Sequence, residues 1–332
     1  MGWLTFDKVF RLGVGLFVMG WIARYLGPEQ FGLWNYAIAF TSLFSAFATL
    51  GLDGIVVREL VKYPEKTEEL LGTAFVLRLI GGLIAFGLSI GGAFLLGNTD
   101  TLTLSLIALS AGGFVFQAFT VIDYYNQAKI MSKYTVWAQN GAFLIVSVTK
   151  VALVTIKAPL VAFALAGLAE ILLGSSFLLV FFLKNSSLSI KTLNFNFQLA
   201  KSLLKDSWPL MLSGIAIMVY TRIDQVMIKE MLGDREVGLY SAAVRMSEIC
   251  YFIPVIVVSS IFPKIVEFKN NSQQLYHERL ERFKLGYFSL LVFYKGWKRT
   301  STSAKPQVSA FADKDPCEKG RTAIKFFKKG NL

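Results

Sequence analysis

Ten charged or amide side chains interrupt otherwise apolar stretches of this chain. They are Arg78, Lys150, Glu170, Arg222, Asp224, Gln225, Lys229, Glu230, Arg245 and Glu248. A charge placed in lipid is costly, so such residues face a partner or a water-filled cavity. Four of them, Arg78, Lys150, Arg222 and Arg245, are cations expected near mid-membrane, where they can attract an anion. At about 100° per residue, Thr221, Arg222, Gln225 and Lys229 share an arc of roughly 100°, with Asp224 about 60° beyond it. This polar stripe belongs on the bundle interior. Arg78, Lys150 and Arg222 fit either cavity lining or pairing with a carboxylate; Asp224 with Arg78 or Lys150, and Arg245 with Glu248, are the pairs considered. Asp224 suits a structural or gating role. Lys229 and Glu230 are expected to extend to the interface. The substrate-cavity candidates are therefore Arg78, Lys150, Arg222, Asp224, Gln225 and Arg245.

The elements that must carry these residues are membrane helices. The chain is 54% hydrophobic and 17% charged over 332 residues, with a mean hydropathy of +0.54. An ordinary soluble domain carries about a quarter charged residues. Eight apolar segments are long enough to span a bilayer, roughly 9–26, 34–52, 72–96, 102–124, 136–156, 160–183, 207–231 and 238–263. The net charge is +12, and residues 295–332 supply +7 of it. The remaining excess lies between apolar blocks, which fits membrane topology and not a nucleic-acid surface. With the N-terminus in the cytoplasm, inner segments hold sixteen Lys and Arg, from Lys8 and Arg11 through Lys284, and outer loops hold Arg24, Lys157 and Arg235. A multi-pass protein of the cytoplasmic membrane is the expectation.

Other chemistry is thin. Cys250 and Cys317 form no metal or disulfide pattern. His277 is the single histidine. No phosphate-cradling Walker loop or nucleophile–base set is present. No cofactor, no metal and no catalytic group is expected.

One feature repeats. "LGPEQFGLWNYA" from Leu26 aligns with "LGDREVGLYSAA" from Leu232 at a spacing of 206 residues. Leu26-Gly27 falls on Leu232-Gly233, Gly32-Leu33 on Gly238-Leu239, and Ala37 on Ala243. Gly-Pro and Gly-Asp stop the preceding helix, and Pro28 suits the first turn of the next. Gly32 and Gly238 are read as letting each following helix begin close to the one before. The two copies follow the first and seventh segments, which predicts a six-helix repeat with a boundary near 184–206. Residues 1–190 then form a first transmembrane lobe and 191–294 a partial second lobe, with 295–332 a basic, disordered tail. A ninth apolar run from Leu285 stops at Tyr294, too short to span as a helix. Two readings of that break are a shifted reading frame that truncates a longer membrane protein, and a genuine soluble tail.

"ARYLGPEQFGLWNYAIAF" (23–40), "LGLDGIVVREL" (50–60) and "RIDQVMIKEMLGDREVGLYSAAVRMSE" (222–248) resemble the oligosaccharide-unit flippases of bacterial polysaccharide export. These are the O-antigen and polysaccharide biosynthesis branch of the multidrug/oligosaccharidyl-lipid/polysaccharide exporter superfamily. The resemblance implies an all-α integral membrane fold of two pseudo-symmetric lobes, the first complete and the second incomplete here. It also implies ATP-independent flipping of an undecaprenyl-diphosphate-linked oligosaccharide by alternating access. The expected partners are the lipid-linked oligosaccharide, membrane lipids and the polysaccharide polymerase machinery, without nucleic acid. Three alternatives stand beside it. They are a related transporter of drugs or of a peptidoglycan lipid precursor, a membrane polymerase or glycosyltransferase, and a nonfunctional truncated product. The short outer loops disfavour the enzyme.

Overall fold

Gly27 divides the first long helix. Helix α1 runs from Gly2 to Ser42, but Gly27 sits at φ 72° and ψ 171°, a region open mainly to glycine. Pro28 follows in the first turn after the break, where its missing N–H costs nothing. The link expected between the first two membrane segments has thus shrunk to one residue. Val18, Met19 and Ile22 before the break and Trp34 after it line one cavity, and Tyr25 and Trp34 both pack on Phe163.

The computed structural model describes residues 2–97, 100–129, 131–185 and 194–245. After α1 come α2 (Ser45–Thr49), α3 (Asp53–Lys62), α4 (Thr67–Leu95), α5 (Thr101–Phe116), α6 (Val121–Ala128), α7 (Ser132–Thr155), α8 (Leu160–Asn185) and α9 (Phe197–Leu232). A further helix, α10, covers the described residues 234–245. Short 3-10 turns occupy Pro64–Lys66 and Gln117–Thr120. Among the described residues there is no strand. The protein is an all-helical membrane protein. The α4, α5–α6, α7, α8 and α9 stretches are each long and apolar enough to cross a bilayer, and α1–α3 passes as a bent pair. The eighth expected segment beyond 245, the ninth apolar run, Glu248, His277, both cysteines and the tail lie outside the described residues.

Three boundaries differ from the hydropathy reading. The second segment is broken at Leu43–Phe44, where the chain bends by 47° between α1 and α2–α3, and Leu50 and Gly51, both at positive φ, end α2. The fourth is interrupted by the 3-10 turn at Gln117–Thr120. The seventh starts at Phe197, about ten residues before its apolar part. Asn196 caps it by accepting from the Gln198 and Leu199 amides at 2.8 and 3.1 Å, and capping of this kind needs no apolar residue. The same Asn196 donates its backbone N–H to Thr73 Oγ1 at 3.1 Å and its side-chain amide to Glu69. The start of α9 is thereby tied to α4.

Side chains facing outward are apolar. Ile80, Leu83, Ile84 and Leu88 of α4, and Leu210, Leu212 and Ile217 of α9, are exposed. Only 11% of the apolar window of α9 is buried. A soluble helix hides such a face; a membrane helix gives it to lipid. The interior is packed through small residues, as membrane helices require when no hydrophobic drive pulls them together. A Cβ on Gly82 would lie 2.6 Å from the Phe114 carbonyl oxygen of α5, whereas one on Gly87 meets nothing within 4 Å. Overpacking of this kind costs about 1–3 kcal/mol. Gly82→Ala should therefore lower the midpoint of thermal unfolding in detergent, and Gly87→Ala should leave it unchanged or raise it. Equal effects of the two substitutions would contradict this packing.

Candidate functional site

Three polar cavities open between the helices. The first, of about 320 Å³, is lined by Arg11 and Trp34 of α1, Ser147 and Lys150 of α7, Glu170 of α8 and Arg245 of α10. A second, of about 190 Å³, shares Arg11 and Glu170 with it and adds Gln117, Thr120 and Gln139. A third, of about 500 Å³, shares Gln117 and Thr120 with the second and adds Asp53, Arg78, Asp123, Tyr124 and Gln127. Shared walls thus string polar groups from α10 to α3 inside an apolar bundle. The 3-10 turn supplies the common wall: Thr120 Oγ1 donates to the Gln117 carbonyl at 2.7 Å, and Ser175 Oγ donates to the Phe116 carbonyl at 3.1 Å. A 3-10 turn inside a membrane span frequently marks a functional position.

In the first cavity three cations and one carboxylate share the walls. Lys150 Nζ stands 3.0 Å from Glu170 Oε2, with both side chains largely shielded. Arg11 Nε donates to Asn140 Oδ1 at 3.1 Å, and its guanidinium lies 5.2 Å from the centre of the Phe143 ring, within cation–π range. Arg245 donates to Asn35 Oδ1 at 3.1 Å. That Asn35 is itself held by donating to the Phe31 carbonyl at 2.7 Å. Two of the cations are thus oriented by side-chain amides, Arg11 by Asn140 and Arg245 by Asn35.

The third cavity is organised differently. Arg78 is 3% exposed and donates to the Asp53 carboxylate and the Tyr124 hydroxyl. The Tyr124 hydroxyl in turn donates to Asp53. Its remaining walls carry two amides, the Thr49 and Thr120 hydroxyls and the Asp123 carboxylate. Such groups both give and accept hydrogen bonds and suit hydroxyl-rich ligands.

The six candidates read from the sequence therefore divide. Lys150 and Arg245 meet in the first cavity. Arg78 lines the third. Arg222, Asp224 and Gln225 line none of these three. Gln225 is buried in the helix packing, and Arg222 is half-buried. Asp224 accepts from the Tyr240 hydroxyl and from the Gln225 amide. The considered pairs of Asp224 with Arg78 or Lys150 do not form, because Asp53 and Glu170 are the carboxylates beside those cations. Lys229 does not extend outward. It lies 4.2 Å from the centre of the Tyr36 ring and 3.2 Å from Asp234. Arg11, Gln117 and Asp53 escaped the sequence reading. Arg11 looked like one more inner-face charge, although its place within the first helix was a usable signal.

A family model described as polysaccharide biosynthesis protein matches residues 1–269. The chain belongs to this family. None of the curated proteins matches it. Among solved structures, the inward-facing conformation of a multidrug resistance MATE family transporter of the MOP superfamily is similar. The TM-score is 0.53 at 16% identity, covering 82% of this chain and 67% of that one. The fold of this chain is thus similar to that of a MATE family transporter, with polar cavities between the helices.

The Asp53–Arg78 pair makes an asymmetric prediction. Removing the partner of a buried charge is costly, whereas freeing an accessible one is not. The Arg78 side chain is 4% exposed and that of Asp53 60%. Asp53→Ala should destabilise by about 2 kcal/mol after allowance for that exposure, and Arg78→Met by less. Thermal unfolding in detergent should rank them so; the reverse order would show that the pair is not what holds Arg78.

Proposed function

We propose that the protein moves an anionic, glycan-bearing lipid across a membrane, by alternating access and without ATP. The observation that carries this reading is the first cavity, where Arg11, Lys150 and Arg245 line the walls with Glu170, the one carboxylate among its described lining residues. A site of that sign attracts a diphosphate and disfavours the cationic drugs a related transporter would take. Arginine grips phosphate oxygens in a planar fork. The adjoining walls of Gln117, Thr120, Gln127, Asp123 and Asp53 offer partners for sugar hydroxyls. The family supports a glycan cargo, and undecaprenyl-diphosphate-linked oligosaccharide is the cargo that joins both chemistries.

In this reading the helices divide into two lobes with their boundary near 184–206, and the repeated hinges face the outside of the cytoplasmic membrane. The many Lys and Arg at the opposite end support that orientation. The cation-rich cavity takes the diphosphate while the lipid tail stays in the bilayer. The family and the fold favour transport over catalysis.

Complementation tests the proposal. The chain, expressed in a strain lacking its own flippase, should restore surface polysaccharide. Arg11→Gln, Lys150→Gln and Arg245→Gln should each reduce it about tenfold at unchanged protein level, as loss of a charged hydrogen bond implies. Normal export from all three variants would refute the cavity assignment. Accumulation of a cationic dye in place of export would favour the drug-transport reading.

A further inference from the structure

The two copies of the repeated hinge touch each other. Pro28 and Asp234 occupy equivalent places in the repeat, as do Gly32 and Gly238. A Cβ on Gly32 would fall inside the Asp234 carbonyl oxygen and 2.8 Å from the Gly238 nitrogen. A Cβ on Gly238 would fall inside the Pro28 carbonyl oxygen and 3.2 Å from the Gly32 nitrogen. Each glycine therefore meets the carbonyl at the start of the other copy. The contact is reciprocal, as a two-fold relation between the repeats demands. Glycine is the one residue that permits it.

Further groups close around this point. Tyr36 Oη donates to Glu230 Oε1 at 3.2 Å, and the Tyr36 ring carries Lys229 on its face. Lys229 also pairs with Asp234, and Val237 beside Gly238 is fully buried. Deeper on the same side, Arg245 reaches across to Asn35 at the wall of the cation-rich cavity. Backbone contact, a cation–π contact and three polar bonds thus seal the hinge end of that cavity. The polar bonds are individually weak and reversible, and Phe31, Leu33, Val226 and Val237 share one apolar cluster beside them.

We infer that the Gly32–Gly238 contact is the gate that closes the hinge end of the cavity, and that it parts and re-forms during transport. The inference deepens the transport reading and rests on it. Helix α9 is suited to carry the motion. Its start is held to α4 by Asn196, and Pro209 within it removes one helical hydrogen bond, which gives a point of bending. The hinge glycines Gly27 and Gly233, both at positive φ, supply pivots on the two sides of the contact.

The test reads conformation without any cargo, so it fails or succeeds independently of the flippase assignment. Val237→Cys is made in a Cys250→Ser, Cys317→Ser background. Labelling with a membrane-impermeant maleimide is followed in vesicles of both orientations. Val237 is buried in the closed gate, so labelling should be slow. Gly32→Ala cannot fit the closed contact, although alanine is the better helix former. It should raise labelling about tenfold, from one vesicle orientation only, through a shift toward the open state. Gly20→Ala, which meets no atom within 4 Å, should change nothing. If Gly32→Ala fails to accumulate, Glu230→Gln with Lys229→Met removes the polar clasp without crowding and should raise labelling by a smaller factor. Fast labelling in the parent, or unchanged labelling in the folded gate variants, would overturn the inference.

Discussion

The close approach of two backbones at Gly32 and Gly238 is the constraint on which the rest of the structure depends. It dictates glycine at both positions and sets α10 beside the second half of α1. That placement carries Arg245 to Asn35 and so completes the cation-rich cavity with a residue from the second repeat. Without the contact, Arg11 and Lys150 would still line a cleft of the first repeat, but the cleft would lack its wall on that side. Tyr36, Lys229 and Glu230 then have a physical reason to be polar or aromatic at a membrane boundary. They reinforce a contact that glycine alone holds weakly, since two glycines bury almost no side chain.

A membrane setting explains why polar groups are concentrated as they are. Exposed faces of α4 and α9 are apolar because lipid covers them. Polar groups inside are costly unless paired, and the structure pairs them in stages. Lys150 has Glu170, Arg78 has Asp53 and Tyr124, and Arg11 and Arg245 have neutral amides. The last arrangement fixes where two cations stand on the cavity wall. Arg11 and Glu170 join the cation-rich cavity to the second, and the 3-10 turn at Gln117–Thr120 joins the second to the amide- and carboxylate-lined one. In the proposed function, the diphosphate and the sugars of one headgroup use the two kinds of wall.

Much of the fold was legible in the sequence because lipid imposes long apolar runs. The breaks at Gly27 and Gly233 were legible as well, because a glycine followed by Pro or Asp after such a run has few other uses. The meaning of Gly32 and Gly238 was only half legible. Read locally, each eased the start of its own helix; their shared role is a contact across 206 residues, which no local pattern carries. Arg11 was hidden for a related reason. Its charge satisfied the topology reading, so nothing in composition marked it as lining a cavity. Asp53 sits in a short amphipathic helix after a broken span, where a carboxylate looks like an ordinary solvated residue. Arg222 and Gln225 stood on a polar stripe with Asp224 beyond its edge, yet Gln225 is buried in the helix packing, Asp224 accepts from Tyr240, and none of the three lines the three cavities.

The central claim is that the repeated hinges form a contact that opens and closes around a polar cavity. Glu29 and Arg235 are equivalent in the repeat and exposed on either side of it, which suits paired spin labels. Their distance, measured by pulsed electron resonance in liposomes with and without undecaprenyl-diphosphate-linked oligosaccharide, is the most direct test. The account predicts two distance populations whose ratio changes when the lipid is added. A single distance that is the same in both conditions would contradict it.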